Sequence, residues 1–481
     1  MKVIFIVPPE KHFIESYVTK KLDKGREFRQ KLGILWVAGY LREKSGITPR
    51  VIDCLADGLD LESLQPILEK EQPDVVGFSV LTFNILDCLE VTAMIRRVSP
   101  KTKIVFGGFH PSLYPLESLN LSGVDFVVYG EGEITFNELI LAIKNNPEGA
   151  SRDQALADID GLAWSDSDGK DHVNSPRKPP DANMLDYLPL AAHDLVDLDK
   201  YTMVLCNESK VAAIQTSRGC PSRCTFCDIR LTKHRHRSAE HVMKELRLLK
   251  ARGIREFFIV DDTFTINRKR VFELCQRMID ENLDTPYKIS SRVDRIDPEL
   301  LEILAKSGCY NIHFGVESGT QRILDYMQKG VTLDKIKTAF EQTKQAGINR
   351  FAYLMMGVPT ETRDDIQRTI DFVDELKPDY LNYSICTPFP KTYLYENARK
   401  EKEIGNDYWL DFAKKPDPSF KIKVLNEYLT ESDLRGLQDY ALRRFYFSPS
   451  KILREFRKTK TLKQLFVKAR IGLRLITPRI S

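Results

Sequence analysis

Long hydrophobic runs are missing from this sequence of 481 residues, and so is any dense pattern of cysteines. No stretch of about 18 apolar residues occurs, so the sequence predicts no membrane-spanning helix. The first apolar run, Val3–Val7, is too short for the apolar region of a secretory signal peptide and predicts a buried strand instead. Nine scattered cysteines do not form a disulfide framework, and reduced thiols are typical of the cytosol. We therefore expect a cytoplasmic protein.

A strong excess of charge of one sign is also missing. Lysine and arginine number 72, aspartate and glutamate number 68, and the formal net charge is +4. Such a balance gives no overall field that would attract nucleic acid, so we expect no nucleic-acid partner. Internal repeats and low-complexity tracts do not occur either. The length instead allows two or three globular domains, each with its own hydrophobic core.

The chain does contain one tight cysteine cluster. Cys220, Cys224 and Cys227 form a Cys-x-x-x-Cys-x-x-Cys pattern, so three soft thiolate ligands can converge on one metal centre. A cube of four irons ordinarily takes four cysteines, and three would leave one iron open for a substrate or cofactor. Zinc is the alternative, because Cys-x-x-Cys spacings also serve zinc. Zinc needs a fourth ligand; His234 and His236 are near enough to compete, although their basic surroundings suit anions better.

Residues 1–145 predict an open α/β domain. Fully apolar strands alternate there with helices, which is typical of a parallel sheet covered on both faces. Ligands of such sheets bind beyond the carboxyl ends of the strands. Glycines at those ends allow a bulky ligand to approach the backbone, although ordinary strand-to-helix turns would also account for them. The candidate residues at these ends are Ser79, Leu81, Gly107, Gly108, His110, Gly130 and Glu131.

Residues 146–205 predict a connector, and residues 206–390 predict a partial barrel. The connector has a hairpin signal at Asp166–Gly169, followed by prolines that are typical of an extended linker. Six strand–helix units follow, with polar residues after each strand, at the face where barrel active sites lie. We therefore expect one composite site around the cysteine cluster, with a structural ion pair as the alternative role for each charged candidate. The candidates are Phe226, Asp262, Ser291, Arg292, Glu317 and Gly357.

The cysteine pattern resembles that of the radical S-adenosylmethionine (SAM) enzymes. The resemblance implies that SAM chelates the open iron of a 4Fe-4S cluster and that one electron cleaves it to a 5′-deoxyadenosyl radical. An electron donor such as flavodoxin or ferredoxin would supply that electron. The resemblance also implies adenine contacts for Phe226 and for the backbone at Gly357, and an amino-group contact for Asp262, where the family often has Gly-Gly-Glu. The implied contacts of the ribose and the methionine carboxylate are Ser291, Arg292 and Glu317.

The N-terminal domain resembles the cobalamin-binding domain found ahead of many radical SAM domains. That family carries Asp-x-His-x-x-Gly, then Ser-x-Leu, then Gly-Gly, and the last two elements match here at Ser79-x-Leu81 and Gly107-Gly108. The first element is missing, so the resemblance implies cobalamin without a histidine ligand to cobalt from the usual place. His110 and His12 would then be polar contacts of the corrin.

Residues 391–481 predict a helical and basic C-terminal region. From Arg443 onward the sequence has twelve lysines and arginines and one acidic residue, with apolar residues interleaved. A basic amphipathic helix favours peripheral contact with an anionic membrane surface. A helix packed on the barrel with a solvated basic face is the alternative.

The domain order as a whole resembles the cobalamin-dependent radical SAM enzymes. It implies an α/β fold with an N-terminal Rossmann-like parallel sheet, a partial (βα)6 barrel and a helical C-terminal tail. We expect methylation of an unactivated carbon of a hydrophobic small molecule, with methylcobalamin as the methyl donor. One alternative is an oxidative cyclase-type oxidoreductase, similar to the anaerobic magnesium-protoporphyrin monomethyl ester cyclase. Another is a non-catalytic cobalamin or iron–sulfur sensor, against which the complete cysteine pattern weighs.

Overall fold

Strands and helices form close to the places that the sequence predicts. The computed structural model describes residues 1–12, 14, 29–146, 148–202, 206, 208, 210–401, 404–449 and 451–452. The described residues fall into two units. Those of unit one lie within Met1–Glu15, Phe28–Tyr201 and Ile404–Lys421, and those of unit two within Thr202–Glu403 and Ile422–Ser481.

The described residues of unit one form a seven-stranded sheet. Its strands are β1 Val3–Val7, β2 Arg50–Asp53, β3 Val75–Ser79, β4 Lys103–Gly107, β5 Phe126–Val128, β6 Leu162–Ser165 and β7 Asp171–Val173. Their order is β2-β1-β3-β4-β5-β6-β7. β1 to β5 are parallel, whereas β6 and β7 are antiparallel additions that confirm the predicted hairpin. Every residue of β1 is buried, because a parallel sheet is covered on both faces.

Helices follow most strands of this sheet and bury its apolar side chains. Val3, Phe5 and Val7 share one face of β1 and pack in a cluster with residues of the helices Leu32–Ser45 and Gly132–Asn145, which also contact each other. The described helices of unit one are Leu32–Ser45, Cys54–Asp57, Leu61–Glu71, Ile85–Val98, Phe109–Leu113, Pro115–Leu119, Gly132–Asn145, Ala150–Ala157 and Tyr408–Lys414.

The last of these helices belongs to unit one although it lies far along the chain. Its Trp409 is wholly buried, and the Trp409 ring centroid lies 5.0 Å from that of Phe420. The ring of Phe412 lies 4.3 Å from that of Phe420, measured between centroids. This aromatic group packs within unit one, where its helix contacts the helix Pro115–Leu119. Of the described residues after 390, those in 404–421 therefore lie in unit one, and those in 391–401 and 422–452 lie in unit two.

The described residues of unit two contain a six-stranded sheet and a short two-stranded ribbon. The strands are β8 Val211–Ile214, β9 Ser217–Arg218, β10 Arg235–His236, β11 Glu256–Ile259, β12 Tyr287–Ser291, β13 Cys309–Glu317, β14 Asn349–Met356 and β15 Tyr380–Ile385. The six-stranded sheet is parallel with the order β15-β14-β13-β12-β11-β8, so each new strand adds beside the previous one. β9 and β10 pair antiparallel and bracket the cysteine cluster.

Helices connect the strands of the six-stranded sheet. The predicted α/β fold class is therefore confirmed, and each unit contains one large sheet of mainly parallel strands. The described helices of unit two are Ala239–Ala251, Arg268–Asp280, Pro298–Lys306, Gln321–Tyr326, Leu333–Gln345, Arg363–Leu376, Tyr393–Lys400 and Glu431–Tyr446. None of the helices in the described part of the chain combines the length and apolarity that a bilayer crossing requires. Residues 453–481, which carry most of the predicted basic tail, lie outside the described residues.

Candidate functional site

The cysteine cluster follows β8 and is anchored at its base by two buried charged residues. Asp261, which follows β11, accepts hydrogen bonds from the Thr216 amide at 2.6 Å and from the Ser217 hydroxyl at 2.6 Å. Arg270 donates to the Thr216 carbonyl oxygen at 3.0 Å and lies 3.8 Å from the Asp261 carboxylate. Both side chains are buried, so water does not compete for these bonds and the end of β8 is fixed.

Gly219 makes the turn before the first cysteine. Its φ is +87°, and a Cβ there would lie 2.4 Å from the Lys233 carbonyl oxygen, so only glycine fits. The Gly219 amide donates to Oδ2 of Asp262 at 2.8 Å. Burial raises the pKa of the Asp262 carboxyl, and the bond from Gly219 opposes this rise. Asp262, the predicted contact of the SAM amino group, therefore lies beside the cysteine loop and holds its first turn.

The three thiols of the cluster are free and differ in exposure. Cys224 is buried, whereas Cys220 and Cys227 are partly exposed. In the described residues, no three His, Cys, Asp or Glu side chains have the spacing of a site for a single metal ion. Burial raises the pKa of the Cys227 thiol to about 12. A thiol in such surroundings becomes a thiolate ligand when a metal or another positive charge compensates it.

Arg292 supplies such a positive charge beside Cys224. Its Nη1 lies 3.7 Å from the Cys224 Sγ, within hydrogen-bond distance for sulfur. Nε donates to Oδ1 of Asp294 at 2.8 Å, and Nη2 donates to the Lys329 carbonyl oxygen at 2.7 Å. The Arg292 side chain is buried. A residue predicted to contact SAM thus lies directly against one of the predicted cluster ligands.

Glu317, at the end of β13, forms an ion pair inside unit two. Nζ of Lys329 lies 2.8 Å from Oε1 of Glu317, and both side chains are buried. The backbone is irregular here, since Glu317 has a φ of 67° and the pairing of β13 with β14 shifts between Gly315 and Glu317. A Cβ at Gly315 would lie 2.5 Å from Oε1 of Glu317, so a larger residue there would disturb the pair. The ion pair that the sequence left open as an alternative for Glu317 is therefore present.

Ser291 ends β12 and is also engaged within the protein. Its hydroxyl lies 2.6 Å from the Thr265 hydroxyl, and both residues are buried. The pair joins the loops that follow β11 and β12. The ribose and carboxylate contacts of Ser291, Arg292 and Glu317 stay predictions, since each of these side chains has a partner of its own in the protein.

Phe226 lies between the second and third cysteines and packs into a small apolar cluster. The buried members of that cluster include Met327, Val358 and Cys386. Val358 follows Gly357, so the structure brings the two predicted adenine contacts to the same place. Gly357 has a φ of +79°, and a Cβ there would lie 2.6 Å from Cδ1 of Leu434. This turn therefore needs glycine for packing as well as for its backbone conformation.

Glu361 holds the turn at Gly357 from within the protein. Its Oε2 accepts hydrogen bonds from the amides of Gly357 at 2.6 Å and Val358 at 3.1 Å. Its Oε1 is buried and has no hydrogen-bond partner among the described residues. Burial raises the pKa of the Glu361 carboxyl to about 8, although the two amide bonds oppose the rise. Near neutral pH this carboxyl is therefore mostly protonated.

In unit one, the ends of β3 and β4 meet at a glycine-rich edge. Ser79 pairs in register with Gly107, and the Val80 amide donates to the Gly107 carbonyl oxygen at 2.7 Å. Gly108 has a φ of +99°, and a Cβ there would lie 3.0 Å from the Val80 backbone. Close backbone packing therefore requires glycine at this position. Leu81 extends from the same edge and is 40% exposed.

Ser112 connects this edge to the end of β5. Its hydroxyl donates to the Gly108 carbonyl oxygen at 2.7 Å and accepts from the Gly130 amide at 2.9 Å. Gly130 is exposed with a φ of +78°, and nothing lies within 4 Å of the position that its Cβ would take. Glu131 is partly exposed and immediately precedes the helix Gly132–Asn145. The edge thus combines open glycine backbone with exposed apolar side chains, Leu81 and the 37% exposed Phe109.

The two predicted histidine contacts of the corrin lie in different surroundings. His110 is wholly buried; its Nδ1 lies 3.0 Å from the Thr82 hydroxyl, and its Nε2 has no partner among the described residues. Burial lowers the pKa of the His110 imidazole to about 4, so the ring is neutral. The His12 amide donates to Oδ1 of Asp87 at 2.8 Å, and its Nε2 lies 3.6 Å from Oε2 of Glu90.

Ser112, Lys329 and Glu361 are among the residues of these sites that the sequence patterns did not single out. Lys329 and Ser112 form ion pairs or hydrogen bonds with residues that lie 12 to 37 positions away in the sequence. Local sequence patterns do not predict contacts over such distances. Glu361 did leave a signal, because a carboxylate four residues after a glycine can accept amide bonds from that turn. The signal was weak, since glutamate is far more common in exposed turns than in buried ones.

The residues present fit the predicted cofactors. Three thiols on one short loop, with the buried Arg292 cation against Cys224, suit an iron–sulfur cluster, whose ligands are thiolates. The orphaned Oε1 of Glu361 lies at the turn that carries Gly357, where a bound nucleoside can supply a partner. In unit one, Leu81 and Phe109 flank open glycine backbone, which suits a flat and bulky ligand such as a corrin.

Comparisons with known proteins identify domains in both units. The family described as the radical SAM superfamily matches residues 214–373. The family described as the B12-binding domain matches residues 28–140. These matches cover the cysteine cluster and β9 to β14 in unit two, and the glycine-rich edge in unit one.

Individual proteins resemble the chain over nearly its whole length. An uncharacterized methyltransferase of Pyrococcus horikoshii is 31% identical over 460 residues, which cover 95% of this chain and 94% of that protein. An anaerobic magnesium-protoporphyrin IX monomethyl ester cyclase of Rubrivivax gelatinosus is 26% identical over 89% of this chain and 75% of its own. Among solved structures, a cobalamin-dependent SAM radical enzyme, OxsB, with aqua-cobalamin and SAM bound gives a TM-score of 0.69 at 18% identity. That similarity covers 99% of this chain and 72% of OxsB and shows a shared fold.

Proposed function

This chain belongs to the cobalamin-dependent radical SAM enzymes, and on that premise we propose that it methylates an unactivated carbon of a hydrophobic small molecule. Its cofactors are a 4Fe-4S cluster, SAM and cobalamin, as the sequence predicts. When bound, these cofactors supply the one-electron cleavage of SAM and a methyl group carried by cobalt. The protein's own residues bind, orient and shield these groups.

The observation that carries the proposal is the end-to-end similarity to the Pyrococcus horikoshii methyltransferase. The aligned residues cover 95% of one chain and 94% of the other, so both proteins have the same domain content. The complete cysteine cluster and its anchor at Asp261 support a catalytic rather than a sensing role, because the loop is held as a rigid ligand set. We therefore expect this protein to be a catalyst that uses the cofactors of both units.

On the SAM side, we assign the contacts to residues that surround the cysteine loop. Phe226 and the turn at Gly357 form one apolar wall, to which we assign the adenine. Asp262, beside the first turn of the loop, is assigned to the amino group of SAM. The ribose and carboxylate are assigned to the ends of β12 and β13, where Ser291 and Glu317 lie. These roles are supported by their position at strand ends, where parallel-strand barrels bind ligands.

On the cobalamin side, the glycine-rich edge of unit one is the proposed binding surface. We assign corrin contacts to its backbone and exposed apolar side chains. Its predicted members are Ser79, Leu81, Gly107, Gly108, Gly130 and Glu131, and His110 supports them from a buried position. Because Nδ1 of His110 bonds to Thr82, we assign this imidazole to positioning the edge rather than to cobalt.

A hydrophobic substrate is supported by aromatic residues on one face of the six-stranded sheet. The His313 ring stacks on Phe351 with centroids 4.6 Å apart, and Nδ1 of His313 lies 3.1 Å from the Tyr353 hydroxyl. Phe258 lies 5.5 Å from His313, measured between ring centroids. Tyr353 is partly exposed although the sheet around it is largely buried. A fixed aromatic surface of this kind favours a flat or unsaturated apolar group.

The test of methyl transfer uses SAM labelled in its methyl group and needs no substrate. The reconstituted protein is incubated without oxygen with hydroxocobalamin, a chemical reductant and labelled SAM. We expect label in the cobalamin fraction and an equal amount of S-adenosylhomocysteine. Formation of 5′-deoxyadenosine with no label in the cobalamin fraction would contradict the proposal.

Cys224→Ala is the matched control for that test. It should abolish the visible absorbance of the cluster and the formation of 5′-deoxyadenosine, because a cluster held by three cysteines loses one of them. Methyl label in the cobalamin fraction should fall as well, because SAM, the methyl donor, is assigned to the residues around the same cysteine loop. Survival of both the absorbance and the 5′-deoxyadenosine would refute the ligand assignment.

A second candidate function is an oxidative cyclase-type reaction. It is favoured by the 26% identity to the Rubrivivax gelatinosus cyclase over 89% of this chain. An enzyme of this kind would consume SAM to 5′-deoxyadenosine without passing its methyl group to cobalamin. The labelled-SAM experiment separates the two candidates directly. For either, we propose a flavodoxin or ferredoxin as electron donor, tested by replacing the chemical reductant with each purified protein.

A further inference from the structure

The guanidinium of Arg292 is the one buried cation in the described residues that the structure places in contact with a predicted cluster ligand. Its Nη1 lies 3.7 Å from the Cys224 Sγ, across 68 residues of sequence. Arg292 is only 9% exposed, and Cys224 is 6% exposed. Water therefore screens this charge poorly, and its effect on the sulfur is larger than that of a surface arginine.

The position of this cation is fixed from two sides. Asp294 binds it with two hydrogen bonds, from Nε at 2.8 Å and from Nη2 at 3.2 Å. The Lys329 carbonyl oxygen accepts a further bond from Nη2 at 2.7 Å. With Cys224, these partners use all three nitrogens of the guanidinium, so its plane has little freedom to turn away from the sulfur.

The segment 327–329 links the cation to the cysteine loop a second time. The Met327 carbonyl oxygen accepts a hydrogen bond from the amide of Thr225, the residue after Cys224, at 2.9 Å. The Lys329 side chain is itself held by the buried ion pair with Glu317 at 2.8 Å. One short segment thus positions both the backbone at Cys224 and the cation that contacts its sulfur.

We propose that Arg292 is a positioning residue that raises the reduction potential of the cluster bound by Cys220, Cys224 and Cys227. Adding one electron makes the cluster and its thiolates more negative. A hydrogen bond and a buried positive charge at a ligand sulfur stabilise that reduced form more than the oxidised form. Arg292 therefore makes it easier for the electron donor to reduce this cluster before SAM is cleaved. The proposal holds for methyl transfer and for cyclase-type chemistry alike, because both begin with the reduced cluster.

The experiment is a potentiometric titration of the reconstituted full-length protein without SAM, followed by electron paramagnetic resonance of the reduced cluster. We compare the wild type with Arg292→Met, which removes both the charge and the donors, and with Arg292→Lys, which keeps the charge. We expect a lower midpoint potential in Arg292→Met and an intermediate value in Arg292→Lys. An unchanged potential in Arg292→Met, at wild-type iron and sulfide content, overturns the proposal.

Arg223→Met is the matched control. Arg223 is exposed and immediately precedes Cys224. Its replacement by methionine therefore removes one positive charge near the same cysteine but leaves the contact between Arg292 and the Cys224 sulfur in place. Its potential should equal that of the wild type, because solvent screens an exposed charge. An equal shift in both variants would mean that net charge, rather than the contact with Cys224, sets the potential, and this would also overturn the proposal.

Arg292→Lys and Arg292→Gln serve if Arg292→Met assembles no cluster. Arg292→Gln removes the charge at this position, and Arg292→Lys keeps it. The proposal expects a lower potential in both variants at full cluster content, with the larger drop in Arg292→Gln. Wild-type potentials in both would overturn it. A wild-type protein that assembles no cluster would instead contradict the ligand assignment of the three cysteines.

Discussion

Burial sets the charge of individual side chains at both candidate sites. It raises the pKa of Glu361 to about 8 and lowers that of His110 to about 4, so both side chains are largely neutral near pH 7. Each has one polar atom bonded within the protein and one buried atom with no partner among the described residues. These two residues can therefore position backbone and neighbouring side chains without adding charge to the sites.

Glu361→Gln tests this neutral state through the pH dependence of stability. The folded protein holds the proton on Glu361 up to about pH 8, whereas the unfolded chain releases it near the ordinary value of 4.5. Between those values the unfolded state binds fewer protons, so the free energy of unfolding of the wild type falls as pH rises. Glutamine cannot titrate. We expect thermal unfolding to show the variant gaining stability relative to the wild type between about pH 4 and about pH 9.

Glu427→Gln is the control for that measurement, because Glu427 is exposed in the same unit. Its melting temperature should track the wild type across the same range. If the difference between Glu361→Gln and the wild type is the same at both ends of the range, Glu361 is charged in the folded protein and the interpretation fails.

At the scale of elements, the short turns after the strands do more than connect them. The turn at Gly219 orients the cysteine loop, the turn at Gly357 meets Phe226 through Val358, and the turn at Gly108 packs on β3. Each has a positive φ and a neighbour within 3.0 Å of the position that a Cβ would take. Glycine is therefore required at these turns by packing, and the strand ends are rigid before any ligand binds.

Gly219→Ala tests how far the cysteine loop depends on its first turn. The added Cβ would lie 2.4 Å from the Lys233 carbonyl oxygen, so the loop or the ribbon β9–β10 must move. We expect a several-fold loss of iron and sulfide per protein after reconstitution. Gly253→Ala is the control: Gly253 has a φ of +84° with nothing within 4 Å, so it should cost about 1 kcal/mol of stability but no iron. Full iron content in Gly219→Ala would show that the loop tolerates the shift.

The described residues show only the start of the basic C-terminal tail, where Arg444 pairs with Asp371 and Asp374 and Lys451 is buried against unit two. From Arg443 it carries twelve basic residues and one acidic residue, which favours binding to anionic lipid. We expect the full-length protein to float with vesicles of anionic lipid at low salt, to release at high salt, and to ignore neutral vesicles. No binding to anionic vesicles at any salt concentration would refute membrane contact through the tail.

At the scale of the whole molecule, unit one is assembled from separate parts of the chain. Residues 404–421 return to it after the whole parallel sheet of unit two, and they add the buried Trp409 and the rings of Phe412 and Phe420. A cobalamin-binding unit of this kind depends on sequence that lies beyond the barrel. The stability of unit one is therefore linked to an intact C-terminal part of the chain.

Trp409→Ala tests this link. Removing a wholly buried tryptophan leaves a cavity and is expected to cost about 3–5 kcal/mol. Because Trp409 belongs to unit one, we expect weaker hydroxocobalamin binding while the cluster content of unit two is retained. Tyr428→Ala, at a position that is 61% exposed, should change neither quantity. Loss of the cluster with full cobalamin binding would contradict the assignment of this segment to unit one.

Features that depend on local spacing could be predicted from the sequence. Three cysteines within eight residues indicate a shared centre, and alternating apolar strands and helices predicted two parallel sheets, as confirmed by the structure and the comparisons. The hairpin β6–β7 also forms where it was predicted. Such features follow from the sequence because neighbouring residues are already joined, and their periodicity alone decides which side chains face a core.

Contacts between residues that are distant in the chain became known from the folded structure alone. Arg292 contacts Cys224 across 68 residues, Lys329 pairs with Glu317 through an irregular strand end, and residues 404–421 pack into unit one. These contacts form because burial removes water and forces each buried charge or donor to find a partner, wherever in the chain that partner lies. The sequence supplies the charged groups, but the packing within each unit selects their partners and thereby sets their chemistry.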